Sequence, residues 1–262
     1  MSQHYAVIEE DTRTVAIGGQ VTRLFDRGTG PAVVLLHGWG GRIESVVPLA
    51  RCLEDRFRVI ALDLPGFGGA PLPSGVWGTP DHAEFVADAL RQAGIERAHF
   101  VGHSFGAKTS LYIAATHGDL VDKLVLVASN GVRRPPDLKA RLKGATSRTA
   151  RAVSHLGPPG KKARDAIFRR IASDDYRDAG ALRPMLVRTV NEDFRHLLPL
   201  VGSPTLLLWG GRDTAVPLEV GRVMESAIPD AGLVVFEDAG HFCYLDEPQR
   251  FCRVLRHFLL GG

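Results

Sequence analysis

The stretch HFVGHSFGAKTSL, His99 to Leu111, sets two histidines, a serine and two glycines between an apolar run and a helix-like run. Gly102-His103-Ser104-Phe105-Gly106 fits the G-x-S-x-G spacing, in which the central serine sits on a tight strand-to-helix elbow. Small residues two positions either side of Ser104 let neighbouring backbone come close. A helix starting there aims its free N–H groups and the positive end of its dipole at the same spot. Taken alone the pattern is weak, because glycine and serine gather at ordinary turns. Its weight depends on its surroundings.

Those surroundings alternate between strand-like and helix-like runs. PAVVLLHG, RVIALDL and AHFVGH are short apolar blocks bounded by Gly, Pro or Asp, as central strands of a parallel sheet buried on both faces are. VTRLFDRG alternates apolar and polar residues and predicts a half-buried edge strand. DHAEFVADALRQAG carries Phe85, Val86, Ala89, Leu90 and Ala93 at helical spacing and stops at Gly94. VDKLVLVAS is a further buried-strand block. After residue 198 come the strand SPTLLLWGGRD, the helix-like PLEVGRVMESAIP, the strand GLVVFED and a closing helix in PQRFCRVLRHFL. This order predicts an α/β sheet with right-handed crossovers.

Between residues 131 and 198 the hydrophobic blocks give way to RRPPDLKARLKG and KKARDAIFRRIASDDYRD. This segment holds 16 lysines and arginines against 7 acidic residues, whereas the rest of the chain holds 16 against 22. The expected organisation is one α/β core, residues 1–130 and 199–262, interrupted by a helical insertion over 131–198. The basic surplus there is read as solvated helix faces, or as a lid that steers anionic substrates.

A serine hydroxyl needs a base to act as a nucleophile, and the base needs an orienting acid. LLLWGGRDTAVP ends a buried strand and delivers Asp213, while VVFEDAGHFCYLDEP ends the last strand and delivers His241. Ser104, Asp213 and His241 thus follow one another in a known chain order for such a triad. Residues just past the carboxyl ends of parallel strands converge on one rim, so the three can meet there. LLHGWGG, Leu35 to Gly41, follows another central strand. The backbone N–H groups of Trp39 and Phe105 are the candidate donors for a developing oxyanion.

The neighbours of these residues read more plainly. Asn130, in ASNG after VDKLVLV, cannot hold a carboxylate charge, which leaves the acid at Asp213. Asp238 reads as a strand-end residue, His103 as structural, and His37 as a brace for the oxyanion loop. His37, Trp39, Phe105 and Phe242 are the candidate pocket residues. Cys243 has no basic or cysteine neighbour that would favour a thiolate and reads as packing.

Global properties narrow the field. At 262 residues the chain suits one large domain or a domain with an insertion. A formal net charge of +3 points to neither nucleic acid nor a membrane surface. No apolar run has the length of a membrane span, and the polar start MSQHYAVIEEDTRT lacks the pattern of a secretory signal. Three cysteines, Cys52, Cys243 and Cys252, cannot form a framework of bridges, and their spacings fit no zinc pattern. A cytoplasmic setting without a metal is the expectation.

The four pieces around Ser104, Asp213, His241 and Trp39, with DLPGFGGA (Asp63 to Ala70), resemble the α/β-hydrolase superfamily over nearly the whole chain. The resemblance implies a mostly parallel sheet of about eight strands flanked by helices, a Ser-His-Asp triad, no cofactor, and a helical cap over the 131–198 segment. A serine at position 104 excludes the branches whose nucleophile is an aspartate. The activity it implies is hydrolysis of small-to-medium carboxylic esters through an acyl-enzyme, by a monomer or homodimer. Two alternatives remain. Carbon–carbon bond hydrolases of ring-fission dienones share the size, triad and cap, although they typically carry HGxGPG and SMGG where this chain reads HGWGG and SFGA. A slow-turnover ligand receptor on the same scaffold is the other.

Overall fold

The computed structural model describes residues 11–133 and 179–261. The chain divides into two compact units, one of residues 1–133 with 191–262 and one of residues 134–190. Most of the insertion expected over 131–198 lies outside the described residues. Of it, the structure gives a short 3-10 turn at Gly180–Leu182, the helix α4 (Arg183–Asn191) and another 3-10 segment at Arg195–Leu200.

The larger unit is built on an eight-stranded sheet. Its strands are β1 (Thr12–Ile17), β2 (Gln20–Arg27), β3 (Ala32–Leu36) and β4 (Arg58–Leu62), then β5 (Ala98–His103), β6 (Val121–Val127), β7 (Thr205–Gly210) and β8 (Ala231–Phe236). They lie in the order β1-β2-β4-β3-β5-β6-β7-β8. β1 and β2 run antiparallel to their neighbours and every later pairing is parallel.

β2 occupies the second position rather than the edge that its alternation suggested. The edge strand on this side is β1, TRTVAI, whose apolar residues Val15, Ala16 and Ile17 are consecutive rather than alternating. What makes it a strand is the turn that follows: Gly18 and Gly19 both take positive φ and form a two-residue connection, with Ile17 opposite Gln20. The apolar blocks behave as buried strands should, and the last four residues of both β3 and β4 are buried.

Because alternate residues face opposite sides, each strand feeds two apolar layers. Val33, Leu35, Val59, Ala61, Val101 and Val125 join a layer with α1 (Ile43–Arg51) and the C-terminal helix α7 (Pro248–Leu260). On the other face lie α2 (Thr79–Gln92) and α3 (Phe105–Thr116), the latter against β5 and β6. α7 repeats Phe251, Leu255 and Leu259 at four-residue spacing, which gives it one buried stripe. It starts on Pro248 and ends at Gly261, whose φ of 85° makes a left-handed cap. α5 (Leu218–Ala227) and the single turn α6 (Cys243–Asp246) complete the unit.

Cys52, at the end of α1, and Cys252, in α7, are joined in a disulfide with 5.5 Å between their Cα atoms and 200 residues between them in sequence. A count of three cysteines argued against a framework of bridges, yet one pair closes because α1 and α7 share a face of the sheet. Cys243 is free and buried.

Candidate active site

The site begins at the carboxyl end of β5. Ser104 has φ 52° and ψ −108°, a region that residues with a side chain rarely adopt, so the elbow is a strained turn. It is held on both sides. The Ser104 N–H donates to the Val127 carbonyl at the end of β6, and the Ser104 carbonyl accepts the Lys108 N–H at 3.0 Å as α3 begins. The flanking glycines permit this path. A side chain at Gly102 would lie 2.5 Å from the Ala107 backbone, and one at Gly106 would run into the Leu36 carbonyl.

The candidate acid and base come from two further strand ends. Asp213 follows β7, and its side chain is out of solvent. Its Oδ1 accepts the N–H groups of Ala215 and Val216 at 2.8 and 2.9 Å, leaving Oδ2 to meet His241 Nδ1 at 2.7 Å. With Nδ1–H donating to the carboxylate, the imidazole is oriented with Nε2 bare. The loop carrying His241 is braced residue by residue. Arg212 N–H donates to the Ala239 carbonyl at 2.9 Å, and Gly240 N–H donates to Asp246 Oδ2 at 2.8 Å. Asp246 has no signal in the sequence beyond its distance from the histidine.

The loop between β3 and α1 passes beside the elbow, and a Cβ built on Gly38 would stand 3.3 Å from that of Ser104. Among the described residues, no backbone acceptor takes the N–H of Trp39 or of Phe105. His37 ties this loop to the end of β4: its Nε2 accepts the Leu64 N–H at 3.0 Å, so Nδ1 carries the proton and donates to the Gly38 carbonyl at 2.8 Å. Asp63, fully buried, closes the far side of the loop by accepting the Ile43 N–H at the start of α1 and the Gly69 N–H. Arg23 lies 3.3 Å from the same carboxylate. The motif DLPGFGGA thus has a mechanical meaning that its spacing did not disclose.

The four candidate pocket residues separate. Phe242 is 45% exposed beside His241, and Trp39 is partly exposed. Phe105 is 1% exposed, covered by Trp39, Phe67 and His82. His37 is likewise buried and acts through the loop. Among the described residues no cluster of three or more His, Cys, Asp or Glu is placed to hold a metal ion. The buried Cys243 thiol is pushed up to about 12 by burial and then by the Asp213 charge, which makes it inert.

Burial pushes the imidazoles of His37, His82 and His103 below their ordinary range, His103 to about 4. The unfolded chain takes up protons at these rings near pH 6.5, while the folded chain does so only at lower pH. Stability is therefore full above about pH 6.5 and falls as the pH drops from there toward 4. For His103 alone the loss is on the order of 3 kcal/mol. Thermal melts between pH 7.5 and 4.5 should show a falling Tm, and a flat profile would contradict the burial of these rings as neutral species.

With the geometry in view, comparison with known proteins places the chain. The α/β-hydrolase fold family matches residues 31–143 and 184–248. A pimeloyl-[acyl-carrier protein] methyl ester esterase from Chromobacterium violaceum is 35% identical over 251 residues, covering 88% of this chain and 95% of that protein. The crystal structure of a bacterial membrane phospholipase A superposes with a TM-score of 0.78 at 25% identity, covering 99% of this chain and 91% of the other. A meta-cleavage product hydrolase from Pseudomonas fluorescens IP01 superposes at 0.73 with 22% identity, covering 96% and 98%, and shares the fold. With the matched residues spanning the strand ends that carry Ser104, Asp213 and the loop of His241, this chain belongs to the α/β-hydrolase fold family.

Proposed function

We propose that the protein is a serine hydrolase that cleaves carboxylic esters through an acyl-enzyme. The observation that carries this reading is the 2.7 Å contact between His241 Nδ1 and Asp213 Oδ2 on the rim where the strained elbow presents Ser104. Ser104 Oγ attacks the ester carbonyl as His241 Nε2 takes its proton. The buried Asp213 carboxylate stabilises the imidazolium, and the N–H groups of Trp39 and Phe105 receive the oxyanion. The imidazolium then protonates the departing alcohol. Water enters by the same route, and its attack on the acyl-enzyme returns the proton to Ser104. No cofactor takes part in these steps.

The esterase at 35% identity supports ester hydrolysis and makes a methyl ester a sensible probe. The insertion is proposed to be a helical cap, the substrate a small molecule, and the protein a monomer or homodimer. The structure has no helix among the described residues long and apolar enough to cross a membrane. The proposed setting is cytoplasmic, where a bridge such as Cys52–Cys252 is uncommon.

The test is a panel of p-nitrophenyl and methyl esters, a lactone, an amide and a ring-fission dienone. Ester turnover is expected to be roughly 1–10³ s⁻¹, the ordinary range for enzymes. Faster bleaching of the yellow dienone than ester cleavage would turn the assignment to carbon–carbon hydrolysis. Ester turnover near one per minute would favour a receptor.

A further inference from the structure

We infer that His103 is a positioning residue that sets the general base against the nucleophile. This inference rests on the triad reading of Ser104, Asp213 and His241. β5 ends on His103, one residue before Ser104. Strand alternation puts its side chain on the same face as Val101, which belongs to the apolar layer shared with Phe236, Tyr244 and Phe251. On that face the ring meets the base loop. Its Nε2 lies 3.0 Å from the carbonyl oxygen of His241, 138 residues away. The ring centroid is 4.8 Å from those of both His241 and Phe242 and 5.3 Å from that of Tyr244.

A carbonyl oxygen only accepts, so Nε2 must carry the proton. Nδ1 is then bare and faces the oxyanion loop, where a Cβ on Gly38 would stand 3.0 Å from it. One side chain therefore stands beside the loop of the oxyanion donors, bonds the peptide of the base, and is itself bonded to the nucleophile's residue. The titratable groups around it are His241, Asp213, His37 and Tyr244. Only 3% exposed, the ring stays neutral and keeps one fixed tautomer.

The consequence is geometric. Asp213 orients the imidazole of His241, but hydrogen bonds at Ala239 and Gly240 hold only the preceding part of the loop. The bond from His103 holds the peptide of His241 itself. It links that peptide to the elbow through one side chain rather than around the sheet. A misplacement of about 1 Å between reacting groups costs about 100-fold in rate. Loss of this bond should therefore lower kcat and leave KM nearly unchanged.

The test compares His103→Leu, which keeps apolar bulk and removes the donor, with His103→Gln, whose amide can still donate to the carbonyl. For p-nitrophenyl acetate we expect kcat to fall about 10- to 100-fold in the leucine variant and to recover most of that in the glutamine variant. KM should stay within about twofold in both, as expected when an interaction acts on the chemical step. Full kcat in the leucine variant, or equal losses in both at unchanged Tm, would overturn the inference. A measurement on the unmutated protein covers the case in which a variant fails to fold. Imidazole ¹H–¹⁵N correlation spectra should show His103 as the neutral Nε2–H tautomer between pH 6 and 9, and an Nδ1–H tautomer would overturn the role. Ser104→Ala is run alongside: turnover surviving there removes the triad reading, whereas its loss together with full leucine-variant activity removes only the role of His103.

Discussion

Ser104→Ala is expected to lower kcat/KM for short p-nitrophenyl esters by about 10⁴- to 10⁶-fold, because a triad acts as a unit and loses most of its effect with its nucleophile. The fold should survive. The strain at Ser104 lies in its backbone, with φ 52°, and alanine meets the same penalty there as serine. The N–H bond to Val127 and the carbonyl bond from Lys108 involve only the main chain, so the elbow keeps both. Initial-rate assays and thermal melts on the same preparation separate the two effects. A protein of unchanged Tm that retained ester turnover would remove Ser104 from the chemistry. Activity lost together with a large fall in Tm would instead mean that the hydroxyl holds the elbow.

Asp213→Asn is expected to cost about 10⁴-fold in kcat while leaving KM and Tm close to those of the parent, by the tautomer argument. The direction follows from the hydrogen bonds at the acid. Oδ1 accepts from Ala215 and Val216, so an amide placed there must keep its oxygen on that side. Its NH₂ group then faces His241 Nδ1, which has to accept rather than donate. The imidazole proton moves to Nε2, the atom that must be bare to receive the proton from Ser104. Asp213→Ala removes the carboxylate without imposing the wrong tautomer. Comparing the pH profiles of the two variants therefore isolates tautomer control from loss of charge. Equal activity of Asp213→Asn and the parent would dismiss Asp213 as the orienting acid.

Much of this site was legible because it is made of local patterns. The runs around β3, β5 and β7 announce strands by apolar content and bounding glycines. Each is followed within three residues by a candidate site residue: Trp39, Ser104 and Asp213. Parallel strands bring their carboxyl ends to one rim, so the convergence follows from strand order alone. β1 gives no strand signal of its own because its apolar residues Val15, Ala16 and Ile17 do not alternate with polar ones, and the Gly18-Gly19 hairpin reveals it. Without β1, β2 reads as the edge, although it pairs with β1 on one side and β4 on the other.

What sequence position could not disclose are bonds that depend on register and face. The contact between Arg23 and Asp63 depends on how β2 sits against β4, and the capping of α1 by Asp63 depends on where the oxyanion loop ends. The pairing of Lys108 with Glu192 joins α3 to the last part of the expected insertion, 84 positions later. Cys52 meets Cys252 because α1 and α7 cover the same face of the sheet. Phe105 and Phe242 both follow a histidine or serine of the triad, yet one is covered and the other exposed.

By itself, the sequence determined the α/β class, the order Ser104, Asp213, His241 and the loop that carries Trp39. Those follow from residue type and from periodicities that act over a few positions. Only the tertiary structure decided that His103 donates to the carbonyl of His241, that His37 carries its proton on Nδ1, and that Phe105 is buried. A hydrogen bond needs its partners within about 3 Å and aligned. Over 138 residues that alignment is fixed by strand register, side-chain face and helix packing together, which no local pattern records.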